Sequence, residues 1–172
     1  MNKKYDKNCV YCKNYNDFEI SDLIKDSILK NNLVIFAGGG VSTERRNAFP
    51  FSFYEDICDE LLIDPKTSKL SFSSIMSKYE NQPNGRKKLL QKIRERIEYS
   101  KSFDQLYNSV TDFHRELANV HQISEIITTN WDDFFETECR AIPIVIPEDF
   151  AFWDMSGRKV LKIHGSINNL ST

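Results

Sequence analysis

Glycine and proline are scarce in this sequence, six and five residues out of 172, and no repeat or low-complexity tract interrupts it, so short connections between helices and strands are expected. No stretch approaches a membrane span. The N-terminus, Met1 to Asp17, is polar and lacks the apolar segment of an export signal, which points to a cytoplasmic protein. Charge of neither sign dominates: 23 Lys plus Arg stand against 25 Asp plus Glu, a formal net charge of -2. That balance removes the basic surplus expected of a protein whose main partner is a nucleic-acid backbone.

Cysteine is also sparse. Four residues without an export signal read as reduced thiols rather than a disulfide framework. Cys9 and Cys12 form a single C-x-x-C pair, half of what a zinc site needs, and no second pair follows. His114 and His121 stand seven apart, a poor ligand spacing. The pair is therefore read as part of a polar leader over residues 1–16, with no metal required, and Cys58 and Cys139 as core residues.

What is present is enough for one globular domain: 40% hydrophobic and 12% aromatic side chains. Ile20, Leu23, Ile24 and Ile28 recur at helical spacing, with Asp17 as a candidate N-cap. Leu33 to Phe36 is apolar on both faces and runs into glycines, which predicts a buried parallel strand. Helices are predicted over 53–62 (apolar side Ile57, Leu61 and Leu62), 70–79, 85–99 and 103–120. The last carries one apolar face through Phe103, Leu106, Val110 and Leu117. Strands follow at 125–128, at 142–146, where Pro143 argues for an edge, and at 159–163.

This alternation predicts an α/β fold: a Rossmann-like parallel sheet covered by helices, with an inserted helical module at about 53–120, all within residues 17–172. Such sheets bind ligands at the carboxyl ends of their strands. Three predicted strands end in polar clusters. Gly38, Gly39, Gly40, Val41 and Ser42 form a turn whose backbone N–H groups suit a pyrophosphate; the same glycines also suit a plain tight turn. Thr129, Asn130 and Asp132 offer an amide and a carboxylate for ribose, water or a carboxamide, or else a cap for the next helix. His164, Gly165 and Ser166 place an imidazole at a strand end, suited to a general base or to a structural role.

In order, spacing and strand context these three clusters resemble the sirtuin family, over Asn31 to Ser166. The resemblance implies that Gly38, Gly39, Gly40, Val41 and Ser42 line the phosphates and ribose of NAD. It implies that Asn130 holds the nicotinamide ribose or the attacking water, that Asp132 receives the carboxamide, and that His164 is the catalytic base, with Thr129, Gly165 and Ser166 beside them. Where typical members carry a loop with an aspartate and an arginine, this chain has Ala48-Phe49-Pro50-Phe51-Ser52-Phe53. That loop is similar to the divergent bacterial branch known for NAD hydrolysis in phage defence. NAD hydrolysis to ADP-ribose and nicotinamide is accordingly the expected activity, with NAD as substrate and a homo-oligomer or defence complex as the expected assembly. Rival expectations are an NAD-dependent protein-lysine deacylase, a non-catalytic NAD or ADP-ribose sensor, and a structural module whose strand-end residues only make turns and caps. The resemblance further implies late strands that close over the adenosine half of NAD, so the sheet is expected to be incomplete in this chain, which leaves open whether the chain is active alone.

Overall fold

The computed structural model describes residues 20–46 and 48–169; Cys9, Cys12 and Asp17 lie outside them. Four strands, β1 (Val34–Ala37), β2 (Glu125–Thr128), β3 (Ile142–Ile144) and β4 (Lys159–Lys162), form one all-parallel sheet in the order β1-β2-β4-β3. Six helices flank it: α1 (Asp22–Leu29), α2 (Phe53–Glu60), α3 (Phe72–Glu80), α4 (Gly85–Lys101), α5 (Asp104–Ala118) and α6 (Phe134–Cys139). The fold is α/β and Rossmann-like, as the alternating pattern predicts, and the sheet is incomplete, with four strands among the described residues. Among the described residues no helix is long and apolar enough to cross a membrane.

Alternation along the strands decides which side chains face the main core. Ala37, Ile126 and Val160 are buried on one face, where Leu117 of α5 and Phe135 and Cys139 of α6 pack against them. Each such large apolar side chain contributes roughly 1.5–3 kcal/mol relative to an exposed one. A second core lies among α2, α3 and α4, built on Ile57, Cys58, Ile75 and Leu89. A third joins the two, because Ile97 of α4 meets Val110 of α5, Phe134 of α6 and Ile167 beyond β4. The α3–α4 corner is tight: a Cβ on Gly85 would stand 2.0 Å from the Tyr79 carbonyl oxygen.

Several sequence expectations change. Ser21, not Asp17, caps α1, its hydroxyl accepting the Ile24 amide at 3.4 Å. The segment at Leu33 to Phe36 does not have two buried faces, because β1 is an edge strand and Phe36 is 68% exposed. Leu62 is 94% exposed rather than on the apolar side of α2, since that helix ends at Glu60 and the chain turns through a positive φ at Leu62. Pro143 does stand in an edge strand, where its missing N–H costs no ladder bond.

His114 of α5 is fully buried between Phe134 and Phe135, ring centroids 5.7 and 4.4 Å away, and neither ring nitrogen has a hydrogen-bond partner. Burial, helped by the neighbouring Arg115 charge, pushes its pKa down from 6.5 to about 4. As pH falls the unfolded chain takes up this proton first, so the neutral imidazole favours the fold fully above about 6.5 and loses that advantage between there and about 4. Between pH 7 and pH 5 the wild-type protein is expected to lose about 2 kcal/mol more stability than His114→Leu. Urea unfolding at the two pH values checks this, and parallel losses in both proteins would overturn it.

Candidate functional site

Parallel register brings the strand ends level: Ala37 pairs with Thr128, and Thr128 with Lys162. The Thr128 hydroxyl donates to the Ala37 carbonyl at 3.0 Å and accepts the Asn130 amide at 3.0 Å. The Thr129 amide reaches the same Ala37 carbonyl at 3.2 Å, and the Ile163 amide reaches the Thr128 carbonyl at 3.0 Å. The three turns predicted to hold a ligand therefore leave the sheet side by side.

They open into one cavity of about 520 Å³, between the carboxyl ends of the strands and the helices α2, α3 and α4. Gly39, Gly40, Thr129, Asn130, Asp132 and His164 line it from the sheet side. Opposite stand Phe53, Phe72, Met76, Leu89, Ile93 and Ile97. The volume lies in the range of small-molecule sites, which likewise combine apolar walls with a few convergent polar groups.

Asn130 is 6% exposed and its side-chain Nδ2 has no hydrogen-bond partner. An unpaired buried amide donor costs on the order of 1–3 kcal/mol unless a ligand or water accepts from it. Gly40 needs its missing side chain for neither backbone nor packing. Its φ is not positive, and a Cβ there would meet nothing within 4 Å. What the glycine preserves is open space at the cavity wall.

Asp132 is 4% exposed and already engaged. One carboxylate oxygen accepts from the Ser42 hydroxyl, and the other accepts the first amide of α6, Phe134, at 3.3 Å. The N-cap of α6 is Asp133 rather than Asp132, which stands one residue earlier and takes the first helix amide while lining the cavity. Burial pushes its pKa up, while the Ser42 hydroxyl, the Lys162 charge and the Phe134 amide oppose that shift.

The remaining sequence-predicted residues stand behind the wall. Ser42 is fully buried, its hydroxyl reaching the cavity through Asp132, and Val41 packs into the sheet core. Gly38 lies next to Thr129, whose Oγ1 would be 3.6 Å from an added Cβ. Ser166 is 2% exposed, and its hydroxyl accepts the Asn168 amide at 3.3 Å. Gly165 is buried with φ +95°, so the turn after His164 requires glycine for its backbone.

Three charged groups at this site went unread in the sequence. Arg96 and Glu44 line the cavity and pair with each other at 2.9 Å. Lys162, 2% exposed, lies under the Asp132 turn, where its ammonium donates to the Asp132 carbonyl and to Glu136 of α6 at 2.9 Å. Burial raises the Glu136 pKa against the pull of Lys162. A lysine in phase with buried Val160 was the available signal. Among the described residues no group of three or more His, Cys, Asp or Glu side chains is placed to hold a metal ion.

Removing one member of a buried ion pair leaves the other uncompensated, which costs about 3–5 kcal/mol, whereas replacing both by apolar groups is far milder. Lys162→Met is expected to destabilise the protein by that amount at pH 7, and Lys162→Met combined with Glu136→Leu to recover most of it. Urea unfolding of the three proteins checks this; a double variant no more stable than the single one would contradict it. Against known proteins, no family model matches the chain and no curated protein matches it.

Proposed function

We propose that this protein is an NAD hydrolase that cleaves the nicotinamide–ribose bond to give nicotinamide and ADP-ribose. The observation that carries the reading is that the Gly39–Gly40 turn, the unpaired Asn130 amide and the exposed residue His164 all line one cavity at the carboxyl edge of a parallel sheet. Those groups suit the parts of NAD: a glycine turn for the pyrophosphate, an amide for ribose or water, an imidazole for a proton.

Nicotinamide leaves as a neutral base from a cationic ring, so its departure needs no general acid. The ribose develops oxocarbenium character as the bond breaks. Water then adds at the anomeric carbon and gives up one proton. In this reading Asn130 orients the water or the ribose hydroxyl, and His164 accepts the proton. Buried Asp132 is held by Ser42 and the Phe134 amide where a carboxamide can approach it. Positioning and electrostatics supply the rate.

One observation favours a second reading, protein deacylation. The wall of Phe72, Met76, Leu89 and Ile93 offers an apolar seat for an acyl chain, whose carbonyl oxygen would capture the sugar in place of water. Buried, unbridged Cys58 and Cys139 suit a reducing compartment, which supports a cytoplasmic site of action. Assembly as a homo-oligomer, and depletion of NAD during phage infection, belong to the same proposal.

Nicotinamide release from NAD by the intact protein, with no acylated peptide present, decides between hydrolase and deacylase. His164→Ala and Asn130→Ala are each expected to lower that release by at least about 100-fold. Wild-type rates in both variants would overturn the assignment. Gly40→Val is expected to leave the unfolding free energy within about 1 kcal/mol of wild type while weakening NAD binding at least tenfold, measured by calorimetry. Unaltered binding would show that the turn does not face the ligand.

A further inference from the structure

The loop that follows the glycine turn has no arginine at the position where the sirtuin resemblance leads one to look, yet an arginine reaches this loop from elsewhere in the chain. Arg96 projects from α4, its side chain only 10% exposed. Its Nε meets Glu44 at 2.9 Å, and one terminal nitrogen lies 3.4 Å from Asp56 of α2. The other terminal nitrogen donates to the carbonyls of Phe51 at 2.9 Å and Thr43 at 3.4 Å. The guanidinium carbon also sits 4.0 Å over the ring of Phe49. One side chain thus grips the segment between Thr43 and Asp56 at five points.

Glu44 carries this grip to the glycine turn. Its amide donates to the Gly39 carbonyl at 2.9 Å, beside the Ser42 amide on that same oxygen at 3.0 Å. Its second carboxylate oxygen accepts the first amide of α2, Phe53, at 2.9 Å. The contact is close enough that a Cβ on Gly39 would lie 3.1 Å from the Glu44 side chain. Arginine suits the task because its planar fork satisfies several acceptors at once, which a lysine cannot do.

Resting on the hydrolase reading, we propose that Arg96 is a positioning residue: acting through Glu44 from the helical module, it sets the geometry of the Gly39–Gly40 turn and thereby the site's affinity for the NAD pyrophosphate. The terminal nitrogens of the guanidinium donate to protein acceptors, while its Nε is ion-paired with Glu44 without an aligned hydrogen bond, so its effect on the turn is transmitted through Glu44 and the loop. The module is thus part of the binding apparatus as well as the wall of the cavity.

Hydrogen exchange of the full chain, with NAD calorimetry and nicotinamide release, tests this on Arg96→Met and on the milder Arg96→Lys. In either variant the amides of Ser42 and Glu44 are expected to exchange at least tenfold faster while those of β2 keep their protection. The Kd and KM for NAD are expected to rise at least tenfold, kcat to stay within threefold, and Arg96→Lys to fall between Arg96→Met and wild type. Unchanged exchange at the turn, or uniformly faster exchange across β2 as well in both variants, overturns the proposal. So does unchanged NAD affinity in variants whose turn has loosened. The two readings fail differently. A wild-type protein that binds NAD without releasing nicotinamide sinks the hydrolase but leaves the Arg96 assignment to the exchange and affinity results; one that binds no NAD sinks both.

Discussion

A single hydroxyl, that of Thr128, fixes the relation between two of the three turns that make the cavity. It donates across the sheet to the last carbonyl of β1 and accepts the amide of Asn130 in its own chain. The first of these bonds ties β2 to the strand that feeds the glycine turn; the second bends the chain so that Asn130 enters the cavity. Parallel pairing makes this possible, because only strands running the same way bring their carboxyl ends to one edge. The imidazole of His164 arrives two residues beyond the end of β4, in register with the same edge. The groups that line the cavity from the sheet side are displaced from this level line by only a few residues of chain.

Two cations, buried Lys162 and partly buried Arg96, stabilise the turns where they leave that edge, one on each side of the cavity. Lys162 acts from beneath, on the Asp132 carbonyl and Glu136; Arg96 acts from the helical module, on Glu44 and two loop carbonyls. Ion pairs in such places add little net stability, because desolvation offsets most of the Coulombic gain. Their value is geometric. Lys162 also donates to one loop carbonyl, that of Asp132, and Arg96 to two, those of Thr43 and Phe51. A loop fixed in this way holds its ligand-facing groups without needing an apolar core of its own.

Most of the architecture was legible because it rests on local periodicity. The alternation of short apolar runs with amphipathic helices predicts the parallel sheet, and the strand at 125–128 falls where it was placed. Exposure of Phe36 was not legible: an edge strand and a central strand share the same composition, and their difference lies in the strand order. The N-cap at Ser21 was missed because Asp17 also precedes the helical pattern, and capping depends on which residue the helix begins after. At the site, glycine, Asn130, Asp132 and His164 stood out because they interrupt apolar strands. Arg96 did not, since one arginine among the many charges of α4 carries no local mark; its importance comes from a loop some forty to fifty residues away. Lys162 was not legible because a lysine in a short strand is ordinarily solvent-facing, whereas its phase with buried Val160 puts it on the core side.

The asymmetry of the cavity bears on the chemistry it can support. Breaking the nicotinamide–ribose bond spreads positive charge that is already present, so the reaction gains from a site that excludes bulk water and presents fixed dipoles in its place. The helical module contributes the apolar half of such an enclosure, and the strand ends contribute the dipoles. Neither half is sufficient: the strand-end groups without the wall would face solvent, and the wall without them would bind apolar molecules indiscriminately. Under the hydrolase reading, the ion pair between Arg96 and Glu44 joins these halves at the cavity itself, so a change in the seating of the module reaches the pyrophosphate turn directly. Control of such an enzyme would then require no second ligand site; a partner or second copy that shifts α4 against the loop would suffice to raise or lower its affinity for NAD.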